Sequence, residues 1–148
     1  MDLKEIEKNL KILMDIEEIK KLQAYYVARI NPPKWDEIKD CFSKDAVFDT
    51  YAGRVRGIDL IEKILTVNIS QLHKGQFAAF AAMPYIEVDG DKAKASWGLV
   101  ELLPDDLKMP FMTPDAPNWV YGPYDLEYVR EDGKWKISYL KWRSDITK

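Results

Sequence analysis

The chain has 148 residues, with 22 Lys and Arg against 25 Asp and Glu, and a net charge of −3. That length gives one ordinary domain with one sizeable core, read as residues 1–148. A slightly acidic chain without a basic block argues against nucleic acid as main partner. The longest apolar stretch, Phe77 to Met83, is too short to cross a bilayer, so no membrane association is expected. The charged start (Asp2, Lys4, Glu5) does not read as a secretory leader. The single cysteine, Cys41, has no internal disulfide partner, which suits a reducing, cytoplasmic setting. One His and one Cys argue against zinc, and no Gly-rich phosphate loop or Gly-x-Ser-x-Gly elbow occurs.

Helices are expected over about residues 2–42 and 57–68, and strands over 46–51 and 76–143. Met1 to Leu13 reads as one helix turning near Met14. Asp15 and Glu18 have the spacing of a capping box that opens a second helix to about Asn31. Ile16, Ile19, Leu22, Tyr26 and Ile30 share a face of it, and Pro32 and Pro33 stop it. A short helix follows from Lys34 to Phe42. "AVFDTY", Ala46 to Tyr51, is a strand, and "IDLIEKIL" after Gly57 is a helix. Two hairpins come next. Tyr85–Val88 meets Lys92–Leu103 across "DGD", and Trp119–Arg130 meets Lys134–Arg143 across "EDG". The Pro-rich segment Pro104 to Asn118 between them is read as a lid or a subunit contact. Helices followed by a meander of long strands predict an α+β domain, with helices over an antiparallel sheet.

Alternation along Lys92–Leu103 puts Ala93, Ala95, Trp97, Leu99, Glu101 and Leu103 on one face, taken as inward. The other face begins charged and ends apolar at Val100 and Leu102, which suits partial cover by another subunit. Glu101 has two readings: an acid in an apolar pocket fit for proton transfer, or a strand-end carboxylate in water. Tyr124, Leu126 and Tyr128 form one inward set, and Trp135, Ile137 and Tyr139 another. Aromatics at this spacing are usually packing, yet they also suit a flat ring ligand. Tyr26 is either a hydrogen-bond donor to a substrate oxygen or a core tyrosine.

Four stretches together resemble a known family: "DIEEIKKLQAYYVARINPPKWDEIKDCFSKDAVFD", "RGIDLIEKIL", "PYIEVDGDKAKASW" and "YDLEYVREDGKWKI". They resemble the SnoaL-like branch of the nuclear-transport-factor-2-like superfamily, over roughly Asp15 to Arg143. Within it the resemblance is to the scytalone dehydratase, lindane dehydrochlorinase and bile-acid 7α-dehydratase group. That resemblance implies a cone-shaped α+β barrel, a strongly curved antiparallel sheet with N-terminal helices over its concave face. It further implies a homo-oligomer (a trimer favoured, with a dimer as the alternative), one hydrophobic pocket per subunit and no cofactor. Its enzymes remove water or hydrogen chloride from ring compounds by proton abstraction.

The family's tyrosine falls on Tyr26 and its acid on Glu101, after "SWGLVE". Its aspartate falls on Asn31 and its histidine near Ala79, so the histidine–aspartate dyad is missing. His73, six residues before Ala79, is either a substitute base or a surface or helix-end histidine. At ~3.3 Å per residue the two positions are roughly 20 Å apart along a strand.

The expected function is a small cofactor-independent lyase of the dehydratase kind, or a cyclase or isomerase, acting on a hydrophobic ring compound. Glu101 is the general acid/base, Tyr26 the donor, Asn31 a positioning residue and His73 a reserve base. Tyr51, Phe77, Ala79, Trp97, Leu99 and Tyr124 line the pocket, with Trp142 and Arg143 at its entrance. Two alternatives stand beside it. One is a non-catalytic binding protein for a small hydrophobic ligand. The other is an interaction protein whose cone is filled with side chains, which would leave no cavity above roughly 300 Å³.

Overall fold

The computed structural model describes residues 1–73, 78–109 and 111–142, without the side chains of Leu72 and His73. Its first element is one long helix, α1 (Leu3–Val27). The N-cap is Asp2, whose carboxylate accepts from Glu5 N at 2.9 Å while Glu5 Oε2 accepts from Asp2 N at 3.1 Å. No Gly or Pro interrupts residues 3–27, so the expected turn near Met14 does not form. Asp15 is therefore not a cap. It lies mid-helix, 5% exposed, and accepts from Arg130 Nη2 at 2.8 Å and Trp135 Nε1 at 3.1 Å. The buried positions Asp15, Ile19, Gln23 and Tyr26 form one stripe at helical spacing, and it faces the sheet.

The chain then makes the short helix α2 (Trp35–Ile38) and a 3₁₀ turn, Lys39–Cys41. Strands β1 (Phe42–Thr50) and β2 (Gly53–Arg56) form a hairpin. Next come α3 (Ile58–Lys63), a π-helical turn Ile64–Ile69, and α4 (Ser70–His73). The remaining strands are β3 (Ala78–Asp89), β4 (Lys92–Leu102), β5 (Trp119–Glu131) and β6 (Lys134–Trp142).

The six strands lie in the order β2-β1-β6-β5-β4-β3. This corrects the cone-shaped barrel expected from the resemblance. The sheet is open and is not curled into a cone, because β2 and β3 are its two edges and do not pair with each other. It is also mixed, since β1 runs parallel to β6. No hairpin joins those two strands, so nothing in the connection forces them antiparallel. The long helix α1, packed against β3, β5 and β6, covers the face that a closed barrel would have enclosed.

Two irregularities set which side chains face α1. In β3 the register shifts between Ala82 and Tyr85, where Met83 has φ 53° and Pro84 follows, a position that an edge strand tolerates. In β6, Tyr128 pairs with Ile137 and Glu127 with Tyr139, so Ser138 is the extra residue of a bulge. The bulge reverses the alternation after it. Trp135 and Ile137 are buried as expected, but Tyr139 is only half-buried, and Leu140 and Trp142 take the inward places. The segment Pro104–Asn118 folds back on its own subunit. Leu103 N donates to Asn118 O at 2.8 Å, Lys108 Nζ donates to Asn118 Oδ1 at 3.2 Å, and Met109 is buried.

Candidate functional site

The covered face of β4 carries Ala93, Ala95, Trp97, Leu99 and Glu101, every one of them buried. Glu101 is 5% exposed, so it is an interior acid and not a strand-end carboxylate in water. It pairs across the ladder with Ala79 on β3 and Val120 on β5. Tyr26 reaches the same interior from the last turn of α1, its ring edge-on to Phe42 at 5.3 Å. Tyr26 and Glu101 both line one cavity, closed further by Tyr51, Leu99, Tyr124 and Trp142.

Sequence reasoning missed part of this wall. Ile30, Phe48, Thr50, Leu65, Ile69 and Leu140 also line the cavity. Leu65 and Ile69 arrive on the π-helical turn, whose i+5 geometry no local sequence signal announces. The free space is small, about 40 Å³, room for a water or two and far below the ~300 Å³ of a typical ligand pocket. Much of the interior is thus filled by its own side chains. Phe111, from the Pro-rich segment, packs on two of the lining rings, 5.5 Å from Tyr51 and 6.3 Å from Trp142.

The phenols of the site are strongly desolvated. Burial raises the Tyr26 hydroxyl far above its ordinary value, and the nearby Cys41 and Glu101 add to the rise. Burial and then Glu101 do the same for Tyr51. All these groups therefore stay protonated and serve as donors. The Tyr26 and Tyr124 phenols lie side by side and influence one another's ionisation. A second string of donors lies behind them. Trp97 Nε1 donates to Tyr128 Oη at 3.2 Å, and Tyr128 Oη donates to Gln23 Oε1 at 2.8 Å. Gln23 is fully buried beside Tyr124 and contributes to the environment of its phenol. Burial pushes the Cys41 thiol up to about 11, so it is no nucleophile at neutral pH.

The other expected residues are placed as follows. Trp97 and Ala79 do not line the cavity; they wall a groove beside α1 with Gln23 and Val27. Asn31 is partly buried, one residue beyond the lining Ile30, and is not itself in the wall. His73 is the last residue of α4. Phe77 and Arg143 lie outside the described residues. Among the described residues, no group of three His, Cys, Asp or Glu could hold a metal ion. No helix among them is long and apolar enough to cross a membrane.

Trp142 differs from the other buried indoles. Trp97 and Trp135 each donate to an oxygen, from Tyr128 and Asp15. Trp142 is 6% exposed, and its Nε1 has no acceptor among the described residues. An orphaned buried donor of this kind costs about 1–3 kcal/mol.

The class that these observations define is an α+β domain with one long helix over a mixed six-stranded sheet, and an acid and several phenols around a small cavity between them. The particular family follows from comparison: the model of the SnoaL-like domain matches residues 11–141, and the chain belongs to that family. No curated protein matches the chain.

Solved structures share the fold. A nuclear-transport-factor-2-like protein with a cystatin-like fold from Novosphingobium aromaticivorans is 16% identical, with a TM-score of 0.79 over 99% of this chain and 92% of that one. A hexachlorocyclohexane dehydrochlorinase from Novosphingobium barchaimii is 17% identical, with a TM-score of 0.76 over 92% and 90%. A scytalone dehydratase, so described provisionally, from Novosphingobium aromaticivorans is 20% identical, with a TM-score of 0.72 over 92% and 87%. At these identities the likeness is one of fold.

Proposed function

We propose that this chain is a small lyase of the dehydratase kind, or a related cyclase or isomerase, working by acid/base chemistry on a hydrophobic ring compound without a cofactor. The observation that carries this reading is the burial of Glu101 in the same cavity as Tyr26. A carboxylate among apolar walls and protonated phenols is arranged to take a proton from carbon while a phenol holds the neighbouring oxygen. Glu101 removes the proton, the electron pair forms the carbon–carbon double bond, and the carbon–oxygen bond of the leaving hydroxyl breaks. Glu101 returns the proton to that hydroxyl, which departs as water. Tyr26 donates to the substrate oxygen. Asn31 is a positioning residue next to the wall, and His73 is the reserve base.

A ring does not fit the cavity as it stands, so binding requires Phe111 to leave Tyr51 and Trp142 and the Ile64–Ile69 turn to yield. The subunits assemble as a homo-oligomer, a trimer rather than a dimer, in the cytoplasm.

The small cavity, together with Asn31 and Ala79 where the family has its dyad, favours a second reading: a binding protein without turnover, or a filled scaffold. Exchange of the acidic protons of 2-tetralone into deuterated water, followed by proton NMR, separates the readings. The wild-type protein is expected to accelerate exchange over buffer, and Glu101→Gln to lose about 100-fold or more of that acceleration while keeping its circular dichroism spectrum. Tight binding without exchange would favour the binding protein. Full activity in Glu101→Gln would refute the mechanism.

A further inference from the structure

We propose that the Trp142 indole N–H is a ligand-binding donor, and that the ligand carries a second, uncharged oxygen for it, apart from the oxygen held by Tyr26. This rests on the pocket reading above and names the substrate class more narrowly. Trp142 lines the cavity and is nine-tenths buried, yet its Nε1 lacks an acceptor among the described residues. An indole N–H is a donor only, so what satisfies it must be an acceptor. Its ring neighbours, Tyr51 at 5.5 Å and Phe111 at 6.3 Å, offer π faces, which accept far more weakly than an oxygen.

The bulge at Ser138 is what turns this indole inward, against the alternation that β6 begins with. Bulges commonly re-aim side chains beside functional sites. Ladder register puts Trp142 opposite Tyr124, whereas Glu101 lies opposite Val120, four residues further along the same strand. That separation is roughly 13 Å of backbone, so the indole and the acid enter the cavity from different places along β5. The oxygen is uncharged because Glu101 shares the cavity and no cation lines it among the described residues, which disfavours a carboxylate or phosphate. A hydroxyl or carbonyl oxygen on the far side of an apolar ring system meets these terms.

The test compares 2-tetralone with 6-hydroxy-2-tetralone, which adds an oxygen across the bicycle. Nitrogen-15-resolved spectra of the indole N–H groups report on the five tryptophans separately, with Trp142→Phe identifying the signal. The Trp142 signal is expected to move downfield with the hydroxylated compound and not with the parent. The wild-type protein is expected to bind the hydroxylated compound roughly tenfold more tightly than the parent, and Trp142→Phe to bind both alike. If both compounds bind equally and the Trp142 signal stays in place, the donor role is overturned while the pocket reading stands. If neither compound binds, the pocket reading fails and takes this inference with it. The wild-type indole shift decides the matter even if Trp142→Phe does not fold.

Discussion

Asp15 illustrates how one side chain is held by its surroundings. Burial alone would raise its carboxyl, but hydrogen bonds from Arg130 and Trp135 and the charge of Arg130 outweigh it and hold the carboxyl below its ordinary 3.8. Arg130 also bonds Asp91 at 2.9 Å and lies 4.5 Å over the Trp135 ring, so α1, β5, β6 and the β3–β4 turn meet at this cluster. A carboxyl lowered in the folded state stabilises the fold above its unfolded value and ceases to do so as pH falls through the folded value. Asp15→Ala is expected to cost about 2 kcal/mol at pH 7, read from urea unfolding. The gap between variant and wild type should shrink as the pH is taken below 3.8. A gap that grows in acid would contradict the assignment.

Among the elements, β6 matters most to the site. Its bulge at Ser138 exchanges the faces of the last four residues, and Leu140 and Trp142 enter the core in place of Tyr139 and Lys141. Truncating a buried leucine removes its transfer energy and leaves a cavity, whereas truncating a half-exposed tyrosine does neither fully. Leu140→Ala should therefore cost about 2–5 kcal/mol and Tyr139→Ala clearly less, by denaturant unfolding. The reverse order would mean that β6 keeps a plain alternation and that Trp142 points out of the cavity.

For the whole molecule, the uncovered face of the sheet is the feature that asks for a partner. Phe80, Val100 and Tyr121 stand in one row of the ladder, and Ala78, Leu102 and Trp119 in the next. Phe80, Leu102 and Trp119 are 55%, 47% and 43% exposed. A contiguous apolar patch on a sheet face suits a second copy of the chain. Light scattering is expected to give a multiple of the 17.2 kDa chain mass, and Leu102→Asp to shift it toward one chain. A wild-type protein of single-chain mass at all concentrations would remove the oligomer from the proposal.

The sequence by itself determined what depends on neighbours along the chain. The hairpin turns, the inward set from Ala93 to Glu101 and the placing of Tyr26 on the face of α1 that meets the sheet all follow from fixed periods of 2 and 3.6 residues. Wherever that period broke, the reading failed. Asp15 and Glu18 had the form of a cap, but an uninterrupted helix was free to continue through them. Tyr139 had the right parity until one extra residue shifted the count. The family resemblance implied a closed cone, yet which strands pair is a matter of contacts far apart in sequence, and β2 and β3 ended on opposite edges. The size of the cavity likewise belongs to the tertiary structure alone, because it is the space left once Leu65 and Ile69, more than thirty residues before Glu101, have become part of its wall and Phe111 has packed on Tyr51 and Trp142.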